Sequence, residues 1–182
     1  MNSPIVSPNA ADNSRAGLDR AVARLAEAIR FPTVTRSDYD AVDVAPFLAF
    51  QDWLLASYPR AAAALDPRRD GPWHIHFRWK GSDPGANPLI LLAHYDVVPP
   101  GEPAAWKHAA FSGVVEDGEL WGRGTLDVKI NLISAMEAVE NALGQGYAPR
   151  RDIWLCFGGD EEVGGSRGAA ELGRILAAAG GK

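Results

Sequence analysis

The sequence predicts a three-layer α/β/α fold around a mixed, mostly parallel sheet. Two observations carry that reading. Helical and strand periodicities alternate along the chain, and two short apolar runs end in acidic turns. With 182 residues, 47% of them hydrophobic, the chain is long enough to bury a sizeable core. Its net charge of −5 and scattered basic residues fit neither a disordered chain nor a nucleic-acid binder.

Residues 1–14 are polar and proline-containing, without an apolar signal core, and are expected to form a flexible tail. Leu18, Val22, Leu25 and Ile29 then make a helical stripe that closes near Pro32. Phe47, Gln51, Leu54 and Tyr58 share a second helical face, with Pro46 tolerated in the first turn. Residues 73–80 alternate strictly, as a half-buried strand in an antiparallel part of the sheet does. His74 and His76 lie on its polar face. No acid accompanies them, so they are expected to face solvent rather than hold a metal.

After a loop at 81–85, Leu89-Ile90-Leu91-Leu92-Ala93 reads as a short buried strand between Pro88 and Pro99-Pro100. Glu116-Asp117-Gly118-Glu119 reads as a hairpin turn. Ile133, Met136, Glu140 and Leu143 give the next helix, beginning near Asp127. Ile153-Trp154-Leu155-Cys156-Phe157 is a second buried strand, and residues 166–179 form the last helix. Cys156, the single cysteine, reads as a small core hydrophobe, and a reducing cytoplasm is the default compartment. The apolar runs fall far short of the ~20 residues that cross a bilayer.

The chemistry collects in three places. His94 and Asp96 follow the first apolar strand. Side chains two apart on a strand point the same way, and a carboxylate beside a metal-ligating imidazole fixes its ring. Asp127 is delivered by the glycine-flanked loop Gly122-Arg123-Gly124 to a helix start. Asp160-Glu161-Glu162 follow the second strand, and three adjacent carboxylates repel unless donors or cations hold them. Each station alone has a plainer reading: a strand-capping histidine, a helix N-cap, a solvated acidic turn. Together they supply one imidazole and several carboxylates, a set suited to zinc or a similar divalent ion, with one carboxylate free to act as general base.

These stretches also resemble a known family. Leu91-Leu92-Ala93-His94-Tyr95-Asp96-Val97-Val98-Pro99, Trp106 with Phe111, Gly122-Arg123-Gly124-Thr125-Leu126-Asp127 and Gly159-Asp160-Glu161-Glu162-Val163-Gly164-Gly165 are similar, in order and spacing, to the co-catalytic metallopeptidases. That family includes acetylornithine deacetylase, succinyl-diaminopimelate desuccinylase, aminoacylase and glutamate carboxypeptidase. In detail the chain resembles the carboxypeptidase S and N-acyl-amino-acid hydrolase branch, over about its last half.

The resemblance implies roles residue by residue. His94 and Glu162 each bind one of two divalent ions, zinc foremost, with cobalt or manganese as substitutes. Asp127 bridges the ions, Asp96 orients His94, and Glu161 is the general base of a metal-activated water that cleaves a peptide or N-acyl amino acid. The family usually has a second acid after the bridging aspartate, where this chain has Val128. The peptide at that point is commonly cis in the family. Relatives add a further acid, a histidine and a lid or dimerisation domain, and are often homodimers. On that basis residues 15–182 are expected to be the N-terminal portion of the catalytic domain, inactive alone, with neither nucleic acid nor membrane as partner.

Other classes fare worse. Gly164-Gly165-Ser166-Arg167-Gly168 lacks dinucleotide-loop spacing and follows three carboxylates that would repel a phosphate. No G-x-S-x-G serves a serine hydrolase. A non-catalytic relative, or a metal-binding or interaction domain, stays open as the alternative.

Overall fold

A computed structural model describes residues 15–179; the tail expected at 1–14 lies outside the described residues. Three helices come first: α1 (Arg15–Ile29), α2 (Ala45–Ser57) and α3 (Pro59–Ala64). Strands β1 (Arg68–Arg69), β2 (His74–Trp79) and β3 (Leu89–His94) follow, then the hairpin β4 (Val114–Glu116) and β5 (Glu119–Trp121). Helix α4 (Ile130–Gly144), strand β6 (Ile153–Gly158) and helix α5 (Ala169–Ala178) complete the described chain.

Among the described residues the main sheet runs β1-β2-β6-β3. β2 is antiparallel to both β1 and β6, whereas β3 is parallel to β6 and reaches it through the crossover that contains α4. Side-chain alternation then sorts the layers. Ile75, Phe77, Leu155 and Phe157 pack with Ile29, Phe47, Phe50, Leu132 and Met136 on the side of α1, α2 and α4. Trp154 and Cys156 face the other way and pack under Leu172, Ile175 and Leu176 of α5. These are the expected three layers around a mixed sheet, although two of the three strand pairings in the described main sheet are antiparallel rather than the expected parallel majority.

Local chemistry sets several boundaries. Asp117 and Gly118 both have positive φ, 53° and 81°, the pair that a two-residue hairpin turn of the right twist requires. Glu140 on α4 is buried because its carboxylate accepts the backbone N–H groups of Arg60 and Ala61, at the positive end of α3. Gln51 is buried too, donating to the Tyr95 hydroxyl at 2.8 Å.

Three expectations are corrected. His74 and His76 are buried, at 3% and 7% exposure, because α5 covers the face that polar residues would ordinarily turn to water. Leu89 and Leu92 are 44% and 68% exposed, since no described strand pairs the outer side of β3. α4 starts at Ile130, three residues beyond Asp127, and α5 at Ala169 rather than 166.

The two imidazoles stack with ring centroids 5.9 Å apart, and neither Nδ1 has a hydrogen-bond partner. Burial lowers both pKa values below 6.5; the charges of Glu171, Asp70 and Asp160 oppose this at His74, and Asp66 at His76. Below pH 6.5 the unfolded chain therefore binds protons that the native state refuses. Stability is full above that pH and is lost as pH falls through the lower native values. The melting temperature is expected to drop between pH 7 and 5, by about 2–4 °C per kcal/mol lost. A His74→Gln/His76→Gln double variant should show a flatter profile; an unchanged slope would remove the pair as its source.

Candidate metal centre

β3 and β6 end level with each other, His94 pairing with Gly158 across the parallel ladder. The turns that follow carry the acidic groups, at the strand ends where α/β folds place their ligands. His94 is 8% exposed. Its Nδ1 lies 3.1 Å from the Asp96 carbonyl oxygen and 3.3 Å from Asp96 Oδ1. Its Nε2 lies 3.2 Å from Asp127 Oδ1 and 3.6 Å from Glu161 Oε2.

Asp96 is fully buried and ties the site together. Its carboxylate accepts the Thr35 hydroxyl at 2.8 Å and the backbone N–H groups of Glu161 and Glu162 at 3.1 Å each. One side chain thus sets the His94 ring and the start of the glutamate turn. Thr35 is held in turn by its N–H donating to the Val97 carbonyl.

Asp127 sits in the segment Thr125–Lys129, where its own φ/ψ of −124° and 90° is not helical. Gly124 precedes it at φ 88°, and a Cβ there would meet the Val97 side chain, so the close approach needs glycine. The Asp127–Val128 peptide is cis. No side chain caps α4, and the Asp127 carboxylate turns toward His94 instead.

The acidic turn is not uniformly solvated. Asp160 is fully buried, accepting the Tyr39 hydroxyl at 2.8 Å and the N–H groups of Arg167 and Gly168 at 2.8 and 2.9 Å. It anchors the loop and leaves Glu161 and Glu162 to face the site.

His94, Asp127 and Glu162 each offer a ligand atom, and the three atoms lie within 4.8 Å of one another. This donor set, one imidazole and two carboxylates, fits a zinc-type divalent ion. The electrostatics agree. Burial, then the negative charges of Asp127, Asp96 and Glu161, raise the pKa of Glu162, with His94 pulling the other way. Burial works against the charge of His94, yet Asp96 and Glu161 together lift its pKa to about 9. A cation would relieve this concentration of carboxylates. Exposure divides the groups: the side chain of Asp96 is 0% exposed, those of Asp127 and Glu161 77% and 59%. A cleft of about 420 Å³ adjoins them, walled by Leu92, Val128, Cys156, Leu172 and Leu176.

The structure brings together all five residues that the sequence predicts, His94, Asp96, Asp127, Glu161 and Glu162. Thr35, the pairing of Asp160 with Tyr39, and Lys129 are contributions that no sequence pattern announces. Lys129 has no exposed surface, and its ammonium donates to the carbonyls of Ala28 and Phe31 at 3.0 and 2.9 Å. Burial pushes its pKa down to about 7 against the field of Asp96.

The fold is shared with a solved metallopeptidase. An M20 family metallo-carboxypeptidase from Sulfolobus solfataricus superposes with a TM-score of 0.66 at 20% identity, over 79% of this chain and 31% of its own. Residues 90–180 match the model of peptidase family M20/M25/M40, and the chain belongs to that family. Among curated relatives, a probable carboxypeptidase S-like protein of Dictyostelium discoideum is 36% identical over 94% of this chain and 34% of its own length. The N-fatty-acyl-amino acid synthase/hydrolase PM20D1 of Bos taurus is 37% identical over 84% of this chain and 30% of its own. The chain therefore spans about a third of the length of these relatives. No helix among the described residues is long and apolar enough to cross a membrane.

Proposed function

We propose that this protein is a metal-dependent hydrolase acting on the amide bond of a peptide or an N-acyl amino acid. The observation that carries the reading is the convergence of His94, Asp127 and Glu162 beside the exposed carboxylate of Glu161. The names of the relatives support the substrate class: carboxypeptidase S-like in one case, N-fatty-acyl-amino acid hydrolase in the other.

In this reading two divalent ions, zinc foremost, would be held by His94, Asp127 and Glu162. The bound ions supply Lewis acidity, which eases deprotonation of an attacking water and polarises the scissile carbonyl. Glu161 takes the proton from that water and hands it to the leaving nitrogen. Asp96 keeps His94 Nε2 aimed at the centre by engaging the other ring nitrogen. We assign the region from residue 15 onward to a metallopeptidase catalytic domain. A second ion needs donors beyond the three that converge among the described residues.

Equilibrium dialysis against zinc or cobalt tests the reading. Saturable binding is expected, removed by His94→Ala or Asp127→Ala. In the enzyme with its complete centre, release of free amino acid from dipeptides or N-acyl amino acids should cease on chelation and return with the ion. Binding that survives both substitutions, or turnover indifferent to chelation, overturns the proposal.

A further inference from the structure

We propose that Lys129 is a positioning residue for the metal centre, locking the Asp127 segment onto the C-terminal end of α1. The inference rests on the metal reading above and adds to it a residue that touches none of the ligands. Asp127 is largely exposed, and its carboxylate is held by the His94 ring at 3.2 Å, beside the like-charged Glu162. Its aim otherwise depends on its backbone. That backbone leaves helical φ/ψ at Asp127 and Val128, inside a wide turn that the Lys129 and Ile130 N–H groups close onto the Gly124 and Thr125 carbonyls.

The anchors lie at the two ends of the segment. On one side the Thr125 hydroxyl donates to the Gly122 carbonyl, and Gly124 packs against Val97. On the other stands Lys129, whose N–H donates to the Gly124 carbonyl. Its side chain crosses into the core, and the ammonium takes the carbonyls of Ala28 and Phe31. Those oxygens lie where α1 ends, the negative pole of its dipole. The Phe50 ring from α2 lies 5.2 Å from the ammonium and adds a cation–π contact. One side chain thus ties α1, α2 and the start of α4 together. Asp127, two residues upstream, cannot swing away without drawing a buried cation from its acceptors.

Cobalt binding to the protein, followed by its visible absorption and by competition with a chelator, tests this. Lys129→Met keeps length and apolar bulk but removes the donors. It is expected to weaken cobalt binding about 10-fold or more, the range of substitutions that orient ligands indirectly, and to alter the cobalt spectrum. Lys129→Arg keeps the charge and donors and should stay within a few-fold of wild type. Val139→Ala, a core truncation farther along α4, should lower stability but leave affinity unchanged. Should Lys129→Met fail to fold, Lys129→Gln replaces it and must bind more weakly than Lys129→Arg. Equal affinity in wild type and Lys129→Met overturns the role of Lys129 and leaves the metal reading standing. So does a loss in Val139→Ala as large as in Lys129→Met, or an arginine variant as weak as methionine. No cobalt binding by the wild type removes the metal reading, and this proposal with it.

Discussion

On the proposed hydrolase reading, Glu161→Gln is expected to lower amide hydrolysis by about 10²–10⁴-fold, while metal content stays nearly unchanged. Glutamine keeps the size of the side chain and cannot take a proton from water. Glu161 stands 3.6 Å from His94 Nε2 with 59% of its side chain exposed, within reach of both the site and an approaching substrate. Glu162→Gln should behave differently. It removes a charge from the group of three that converges, so metal binding should fall first and activity with it. Metal analysis beside rate measurements separates the two. The reverse pattern would mean that the glutamates exchange roles.

Asp96→Ala has the second largest expected effect, and it falls on stability as well as on the metal. The carboxylate serves Thr35, Glu161 N–H, Glu162 N–H and His94 from a position with no exposure. Each buried donor left without an acceptor costs about 1–3 kcal/mol, so a total of about 3 kcal/mol or more is expected in denaturant unfolding. Cobalt affinity should fall about 10–100-fold, because the imidazole loses the partner that fixes its ring. Asp96→Asn retains one oxygen for these donors and should lose less stability. Unfolding and cobalt titrations that match wild type for the alanine variant would show that Asp96 neither supports the loops nor aims His94.

Much of this was legible because the site is written in short, local words. His94 and Asp96 lie two residues apart at the end of an apolar run, and Glu161 and Glu162 follow another. Side-chain alternation and strand position are enough to raise them as candidates. The strands were equally plain, since Leu89–His94 and Ile153–Gly158 are apolar runs bounded by punctuation. What failed depended on distant partners. A polar residue at alternate positions of a strand ordinarily signals solvent, and only the later packing of α5 buries His74 and His76. The exposure of Leu92 reflects what pairs with β3, which β3 itself does not state. Thr35 reaches Asp96 across 61 residues and Tyr39 reaches Asp160 across 121, with no local pattern to announce either. Lys129 reads as an ordinary helix-surface lysine until the end of α1 is seen beside it.

The level ending of β3 and β6 also bears on thermodynamics. His94 ends β3 and Glu162 follows β6, so these two meet only after the crossover has closed and the parallel pair has formed. An unfolded chain offers an ion only short local donor sets, such as Asp160-Glu161-Glu162, so the larger part of the binding free energy accrues to the native state. In the metal reading, native stability then rises with the logarithm of free ion concentration. On that reading a chelator would act on this fold as a mild denaturant, and metal supply would set how long the folded protein persists.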